Sequence, residues 1–181
     1  MDKTQLILKA HVVCHLLKDD GAFPNNARFP LILYKGAIHL RPTDDVNTVR
    51  NIFESHKWSN SWEGGIFEYH HYHSLTHEVL GVYCGKAELQ LGGPTGVCAE
   101  IIRGDVIVIP AGVAHACLLS SSDFKVVGAY SDGLQYDMNY GKDNERPKAD
   151  ENIRKVSLPD LDPVYGENGP LIENWNKSGQ I

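Results

Sequence analysis

The chain has 181 residues, of which 42% are hydrophobic, and its formal net charge is −6. This length and hydrophobic content suffice for one well-buried core and give little reason to expect two full domains. No run of Lys or Arg forms a basic stripe, so we do not expect a nucleic-acid partner. The apolar stretch 6–17 is interrupted by Lys9, His11 and His15 and has no small-residue cleavage site after it. We therefore predict neither a signal peptide nor a membrane span there.

The four cysteines are widely separated, and none belongs to a CxxC pair. A chain of this size does not need a disulfide framework, so we expect free thiols and a reducing, cytoplasmic location. The residues concerned are Cys14, Cys84, Cys98 and Cys117.

The N-terminal part, residues 4–42, is predicted to form extended pieces. The stretch FPLILYKGAI is rich in β-forming residues and overlaps the end of the turn-like GAFPNNARFP. One helix is predicted after it, because apolar residues recur at spacings of three and four behind good N-cap residues. The spaced residues are Val46, Val49, Ile52, Phe53 and His56, and they follow Thr43, Asp44 and Asp45. This helix is expected to cover one face or end of a sheet.

From Trp62 to Tyr140, short β-type runs alternate with glycines, and turn signals recur about every ten residues. This pattern predicts an all-β sandwich or barrel. Residues 142–181 contain too many helix and strand breakers for a regular element to be predicted, yet they carry apolar side chains that favour packing on the barrel. We expect one domain over 1–181, with N-terminal strands and helix (1–61), a core (62–141) and a tail (142–181) that wraps outside the barrel, with Trp175 as an anchor.

Three histidines and a glutamate fall within the stretch HYHSLTHE, residues 71–78. If EYHHYH ends a strand, His71 and His73 share one face, together with Phe67 and Tyr69. Two imidazoles at this spacing on one face are suited to sharing a metal ion. The next strand begins at HEVLGVYCG, and alternation alone does not decide whether His77 or the glutamate after it faces the cavity.

The wider spacing resembles the two motifs of the cupin superfamily. The first motif corresponds to Gly65, His71, His73, Glu78 and Gly85, and the second to Gly104, Pro110, Gly112 and His115. The flanking pieces resemble a small group of uncharacterised single-domain bacterial cupins. One position departs from the pattern: Leu119 stands where the second motif usually has asparagine.

The resemblance implies a double-stranded β-helix, the cupin or jelly-roll barrel, with one or two peripheral helices and an extended C-terminal tail. It also implies that one divalent transition metal is bound by His71, His73, Glu78 and His115. Neutral imidazoles and one carboxylate suit Fe, Mn, Ni or Zn, as well as Co and Cu. The competing interpretation is a metal-free cupin whose histidines pair with their neighbours. If Glu78 is a metal ligand, its neighbour His77 is expected to face away from the metal, in a surface or supporting role.

The wall of the cavity is predicted to mix Phe67, Tyr69, Leu80, Val82 and Leu119, with Cys117 as a further lining residue. Such a wall favours a small, partly apolar ligand or substrate with one or two oxygens that chelate the metal. No arginine cluster accompanies the motifs, so a sugar phosphate is less expected. Tyr69, Tyr83 and Tyr130 are candidate acid–base groups, but the sequence identifies no catalytic residue.

Two classes of function fit these features. The first is a metal-dependent enzyme that acts on a small oxygen-bearing metabolite, of dioxygenase, isomerase or lyase type. The alternative is a non-catalytic cupin that binds or senses a small ligand, because the fold hosts both kinds. A homodimer is also expected, through β-rich segments within roughly the first forty residues, as an open sheet edge invites pairing.

Overall fold

The computed structural model describes residues 5–178. Within that range the chain forms nine β-strands, three α-helices and one short 3-10 helix. The strands are β1 (His11–His15), β2 (Leu31–Lys35), β3 (Trp58–Gly64), β4 (Glu78–Cys84), β5 (Lys86–Leu91), β6 (Val97–Ile102), β7 (Val106–Ile109), β8 (His115–Ser120) and β9 (Lys125–Ser131). The helices are α1 (Val46–Ser55), α2 (Lys148–Lys155) and α3 (Pro170–Ser178), and the 3-10 helix spans Asp143–Glu145.

The strands form two antiparallel sheets. One has six strands in the order β1-β2-β7-β4-β9-β3, and the other has three in the order β6-β5-β8. This arrangement confirms the predicted all-β jelly-roll architecture. The described residues include no helix with the length and apolar content needed to cross a membrane.

The inner strands of the six-stranded sheet are buried on both faces. In β2, Leu31 and Leu33 pack toward the three-stranded sheet, whereas Ile32 and Tyr34 pack on the opposite face. The same division holds in β7, so these strands are continuous apolar runs, LILY and VIVI, without polar alternation. The sheet therefore supports one apolar core inside the barrel and a second one outside it.

The outer core contains helix α1 and parts of the C-terminal segment. Val49, Ile52 and Phe53 of α1 are buried there, as the spacing of apolar residues predicted. The helix lies close to β4 because Gly81 has no side chain: a Cβ at this position would lie 2.6 Å from a methyl carbon of Val49. Asp45 caps the helix by accepting a hydrogen bond from the backbone N–H of Asn47.

Two local predictions were wrong. The stretch 65–73, expected to end a strand at EYHHYH, is irregular apart from isolated bridges at His71 and Tyr72. The C-terminal segment, expected to lack regular elements, contains α2, α3 and the 3-10 helix. Helix α2 has acidic residues in its first turn and basic residues in its last, which stabilise a helix through its dipole despite few apolar contacts.

Candidate metal centre

Strand β4 brings one of the four candidate ligands into the barrel. Its inward face carries Glu78, Leu80 and Val82, while Val79 faces the outer core. His77, directly before the strand, lies on the outer side against the rings of Phe29 and Trp175, at centroid distances of 5.8 and 4.7 Å. The structure thus resolves the choice that alternation left open: the carboxylate lines the cavity, and His77 does not.

The two cupin motifs meet at a β-bridge between His71 and His115. The backbone N–H of each residue donates to the carbonyl of the other, at 3.2 and 3.0 Å. The second motif also contacts the first through the N–H of Gly112, which donates to the carbonyl of His73 at 2.8 Å. Gly112 has φ +92°, and a Cβ there would lie 2.4 Å from a backbone oxygen, so this position requires glycine.

All three candidate imidazoles are oriented by backbone carbonyls. Nδ1 of His71 lies 3.1 Å from the oxygen of Tyr69, and Nδ1 of His115 lies 3.2 Å from the oxygen of Val113. Nδ1 of His73 lies 2.6 Å from the oxygen of Asp137. Because a carbonyl oxygen only accepts hydrogen bonds, each Nδ1 carries a proton, and in the neutral form of each ring the unprotonated nitrogen is Nε2. Each Nε2 then presents a lone pair.

The lone pairs converge on a small volume. One ring nitrogen from each of His71, His73 and His115 lies within 4.8 Å of the others, and all three residues are buried. Oε2 of Glu78 lies 3.3 Å from Nε2 of His73 and 3.3 Å from Nε2 of His115. This buried oxygen makes no hydrogen bond. Four electron-rich atoms facing one another without a donor are the arrangement that a cation would complete, so the donor set fits a transition metal.

Burial and the charges of neighbouring groups shift the pKa values of these residues in different directions. Burial, followed by the charge of His115, lowers the pKa of His71 to about 3. Burial would also lower the pKa of His73, but the charge of Glu78 outweighs it and raises that pKa. Burial would raise the pKa of Glu78, but His73 and His115 hold it well below its usual range. The carboxylate therefore stays ionised and draws positive charge into the site.

The candidate ligands lie at the base of a cavity of about 380 Å³. Its other lining residues are mostly aromatic: Trp62, Gly65, Ile66, Phe67, Tyr69, Leu80, Tyr130, Tyr136, Met138 and Tyr140. Three of the predicted wall residues, Phe67, Tyr69 and Leu80, are among them.

The other three predicted wall residues lie elsewhere. Val82 and Cys117 belong to the apolar core below the cavity, where both are buried. Leu119 is 68% exposed, because a β-bulge between Cys117 and Leu119 shifts the register of β8 against β5 and breaks the alternation. Among the candidate acid–base groups, Tyr83 packs against the outer core and does not line the cavity.

Several lining residues were not predicted from the sequence. Trp62 faces the cavity from β3, and this requires the pairing of β3 with β9 to be known. Tyr130 of β9, a candidate acid–base group from the sequence, also lines the cavity. Tyr136, Met138 and Tyr140 come from the irregular segment after β9. Their alternate spacing is the one signal in the sequence that could have indicated a shared face.

Known proteins resemble the chain to different extents. No family model matches it. Over 163 residues it is 47% identical to the uncharacterised protein YjlB of Bacillus subtilis (strain 168), and this alignment covers 90% of the chain and 96% of YjlB.

The similar solved structures are more distant. A vicilin from Solanum melongena matches 44% of the chain and 24% of its own length, at 27% identity and a TM-score of 0.36. The epimerase RmlC from Legionella pneumophila, in complex with dTDP-4-keto-L-rhamnose, matches 69% of the chain and 74% of its own length, at 15% identity and a TM-score of 0.38. The extent of the identity to YjlB places the chain in one family with that protein, and its two motifs and jelly-roll fold make it a cupin.

Proposed function

We propose that the chain is a metal-dependent cupin enzyme acting on a small oxygen-bearing molecule, with one divalent ion, Fe, Mn, Ni or Zn, bound by His71, His73, Glu78 and His115. The observation that supports this most directly is the orphaned Oε2 of Glu78, which faces the Nε2 atoms of two rings whose protons lie on the opposite nitrogen. Bound there, the metal would supply Lewis-acid or redox chemistry to a substrate in the cavity.

Tyr130 is the residue best placed to assist that chemistry. Its Oη accepts a 3.0 Å hydrogen bond from Nε1 of Trp62 and lies next to the carboxylate of Glu78, so the phenol is held beside the candidate metal centre. Burial, and next the charge of Glu78, raise the pKa of Tyr130 far above its usual range. The phenol therefore stays protonated and acts as a hydrogen-bond donor, and not as a base.

The proposal is tested by reconstitution. The purified protein is loaded anaerobically with each of the four metals in turn, bound metal is measured by mass spectrometry, and dioxygen uptake is followed with a panel of diketones, keto acids, thiols and sugars. Turnover with about one metal ion per chain supports the enzyme. A loaded protein that binds panel compounds without converting any of them has the alternative function, binding or sensing.

We also propose a homodimer and a cytoplasmic location. Strand β1 lies at the edge of the six-stranded sheet, where its outer backbone groups can pair with a second copy. The free, exposed thiols of Cys14 and Cys98 suit a reducing compartment. Light scattering at micromolar concentration tests the dimer, and a monomeric mass would reject it.

A further inference from the structure

We propose that the substrate is a planar aromatic ring that carries two neighbouring oxygen atoms and no phosphate. This inference rests on the proposed function for the chelating oxygens, and it adds the class of molecule that the cavity selects. It is argued from the shape and charge of the cavity wall.

Aromatic side chains flank the candidate metal centre on two sides. Phe67 and Tyr69 stack on each other beside His71, with ring centroids 4.8 Å apart and an interplanar angle of 14°. Tyr130 and Tyr136 stack beside His73, at 4.7 Å and 20°. Aromatic rings bind other rings by offset stacking or edge-to-face contact, and they gain more from a planar partner than from an aliphatic one.

The walls meet the imidazoles nearly edge to face. The angle is 78° between Phe67 and His71, and 90° between Tyr130 and His73. The aromatic surface therefore begins directly at the candidate ligands, with centroid distances of 5.3 and 5.7 Å. A molecule whose oxygens reach the metal would place its carbon skeleton against these rings.

Much of this aromatic surface is open to solvent. Phe67, Tyr69, Tyr136 and Tyr140 are between 42% and 52% exposed. These four rings form one contiguous exposed apolar patch at the mouth of the cavity. Such patches mark binding sites, whereas single exposed apolar residues do not. Covering them with a ligand ring removes that surface from water, at roughly 25 cal/mol per Å².

The charge of the wall excludes phosphorylated substrates. No Lys or Arg is among the residues that line the cavity, all of which the structure describes, and the one acidic lining residue is Glu78. Lys142 sits over the ring of Tyr140, 5.3 Å from its centroid, and does not line the cavity. A phosphate would therefore enter without a matching side-chain cation, whereas neutral rings require none. A volume of about 380 Å³ suits a molecule of one or two rings.

The experiment compares two chelators that differ only in this feature. Benzohydroxamate and acetohydroxamate present the same two oxygens, but one carries a phenyl ring and the other a methyl group. Titration calorimetry on the zinc-loaded protein, with metal content measured on the same sample, should show benzohydroxamate binding at least tenfold more tightly. Phe67→Leu and Tyr136→Leu should reduce this ratio severalfold, with both affinities compared in samples of equal measured metal content. Leu119→Ala, outside the cavity, should keep the parental ratio.

Equal affinities for the two hydroxamates in metal-loaded protein would overturn the substrate class while leaving the metal-dependent function intact. If the protein holds no metal, the proposed function fails, and the substrate class is then judged by the metal-free protein: the aromatic walls remain, so benzohydroxamate should still bind more tightly than acetohydroxamate. Equal affinities of the metal-free protein for the two hydroxamates would also overturn the proposed substrate class.

Discussion

The backbone N–H of Ala111 donates a 2.9 Å hydrogen bond to Nδ1 of His77. This bond joins the start of the strand that carries Glu78 to the loop that leads to His115, so it holds the two cupin motifs together from outside the cavity. Because Nδ1 accepts this bond, the ring of His77 is neutral. Burial lowers its pKa to about 3. His77 is thus a positioning residue, and its imidazole is directed away from the candidate metal centre.

The first prediction concerns the pH dependence of stability through His77. An unfolded histidine has a pKa of roughly 6.5. Between that pH and about 3 the unfolded chain therefore binds a proton that the folded protein does not. The stabilising contribution is complete above pH 6.5 and is lost as the pH falls toward 3, by at most about 1.4 kcal/mol per pH unit.

Denaturant unfolding at several pH values measures this slope. His77→Asn keeps an acceptor near Ala111 but has no titrating ring, so its unfolding free energy should fall less steeply below pH 6.5 than that of the parent. His77→Ala should lose about 1–3 kcal/mol at pH 7, since it leaves the Ala111 N–H without a partner. An identical acid slope in the parent and in His77→Asn would refute the assignment of this proton.

The second prediction concerns the ligand set. His71→Ala and His115→Ala should each remove most of the metal from the purified protein, because each lost imidazole reduces both affinity and coordination number. His70→Ala is the matched control: its imidazole is adjacent in sequence but lies beside the ring of Phe23, at a centroid distance of 5.6 Å. Metal per chain, measured by mass spectrometry on folded samples, distinguishes them. Full retention in the His71/His115 double variant would remove the site assignment.

The candidate ligands could be selected from the sequence, whereas most of the cavity wall could not. His71, His73, Glu78 and His115 occupy positions whose spacing is fixed by the motif, so the structure brings them together even though the strand expected to end at His73 is irregular. Alternation worked for Leu80, which lies in a regular strand, and failed for Leu119, which follows a bulge. A bulge depends on how two strands pair, so the sequence pattern of one strand does not reveal it.

The helices show a similar contrast. Helix α1 was predicted because its buried residues recur with helical spacing. Helix α2 buries only Ala149, so its apolar pattern gives no signal. Its charges did indicate a helix, with Asp150 and Glu151 near the start and Arg154 and Lys155 near the end. The abundance of Pro, Gly, Asn and Asp in the surrounding sequence led to the prediction that no regular element forms there.

The third prediction concerns Asp137, which supports His73 from behind. Its carbonyl oxygen orients Nδ1 of His73, and its carboxylate accepts from the N–H of Ser74 at 2.6 Å and from the N–H of Leu75 at 3.2 Å. Losing the hydrogen-bond partner of a ligating histidine typically costs 10–100-fold in metal affinity. Asp137→Ala keeps the carbonyl but removes the carboxylate that holds the turn, so it should weaken metal binding by no more than that range and without abolishing it. Competition with a chelator of known affinity measures the loss.

Asp137→Asn is the matched variant for this residue. It keeps one acceptor oxygen for the turn at Ser74, so it should bind metal more tightly than Asp137→Ala. Asp132, the first residue after β9, does not line the cavity, so Asp132→Ala is a control for which parental affinity is expected. Parental affinity in Asp137→Ala as well would show that the turn orients His73 without this carboxylate.

The last prediction concerns the C-terminal segment and its anchor. Trp175 is fully buried, stacks on Phe29 at 4.9 Å and donates from Nε1 to the carbonyl of Pro30 at 2.9 Å. Trp175→Ala should cost about 3–5 kcal/mol of unfolding free energy, because it leaves a large void in the outer core. Leu16→Ala, at a side chain that is 55% exposed, should stay within about 0.5 kcal/mol of the parent. Among residues 142–178, the part of this segment that the structure describes, none lines the cavity, so folded Trp175→Ala protein should retain parental metal content. The ring of Trp175 contacts His77, which precedes Glu78, so a loss of metal in the variant would also have a structural explanation. If the folded variant loses metal, the segment fixes the position of Glu78 through His77, and the metal centre extends to the outer core.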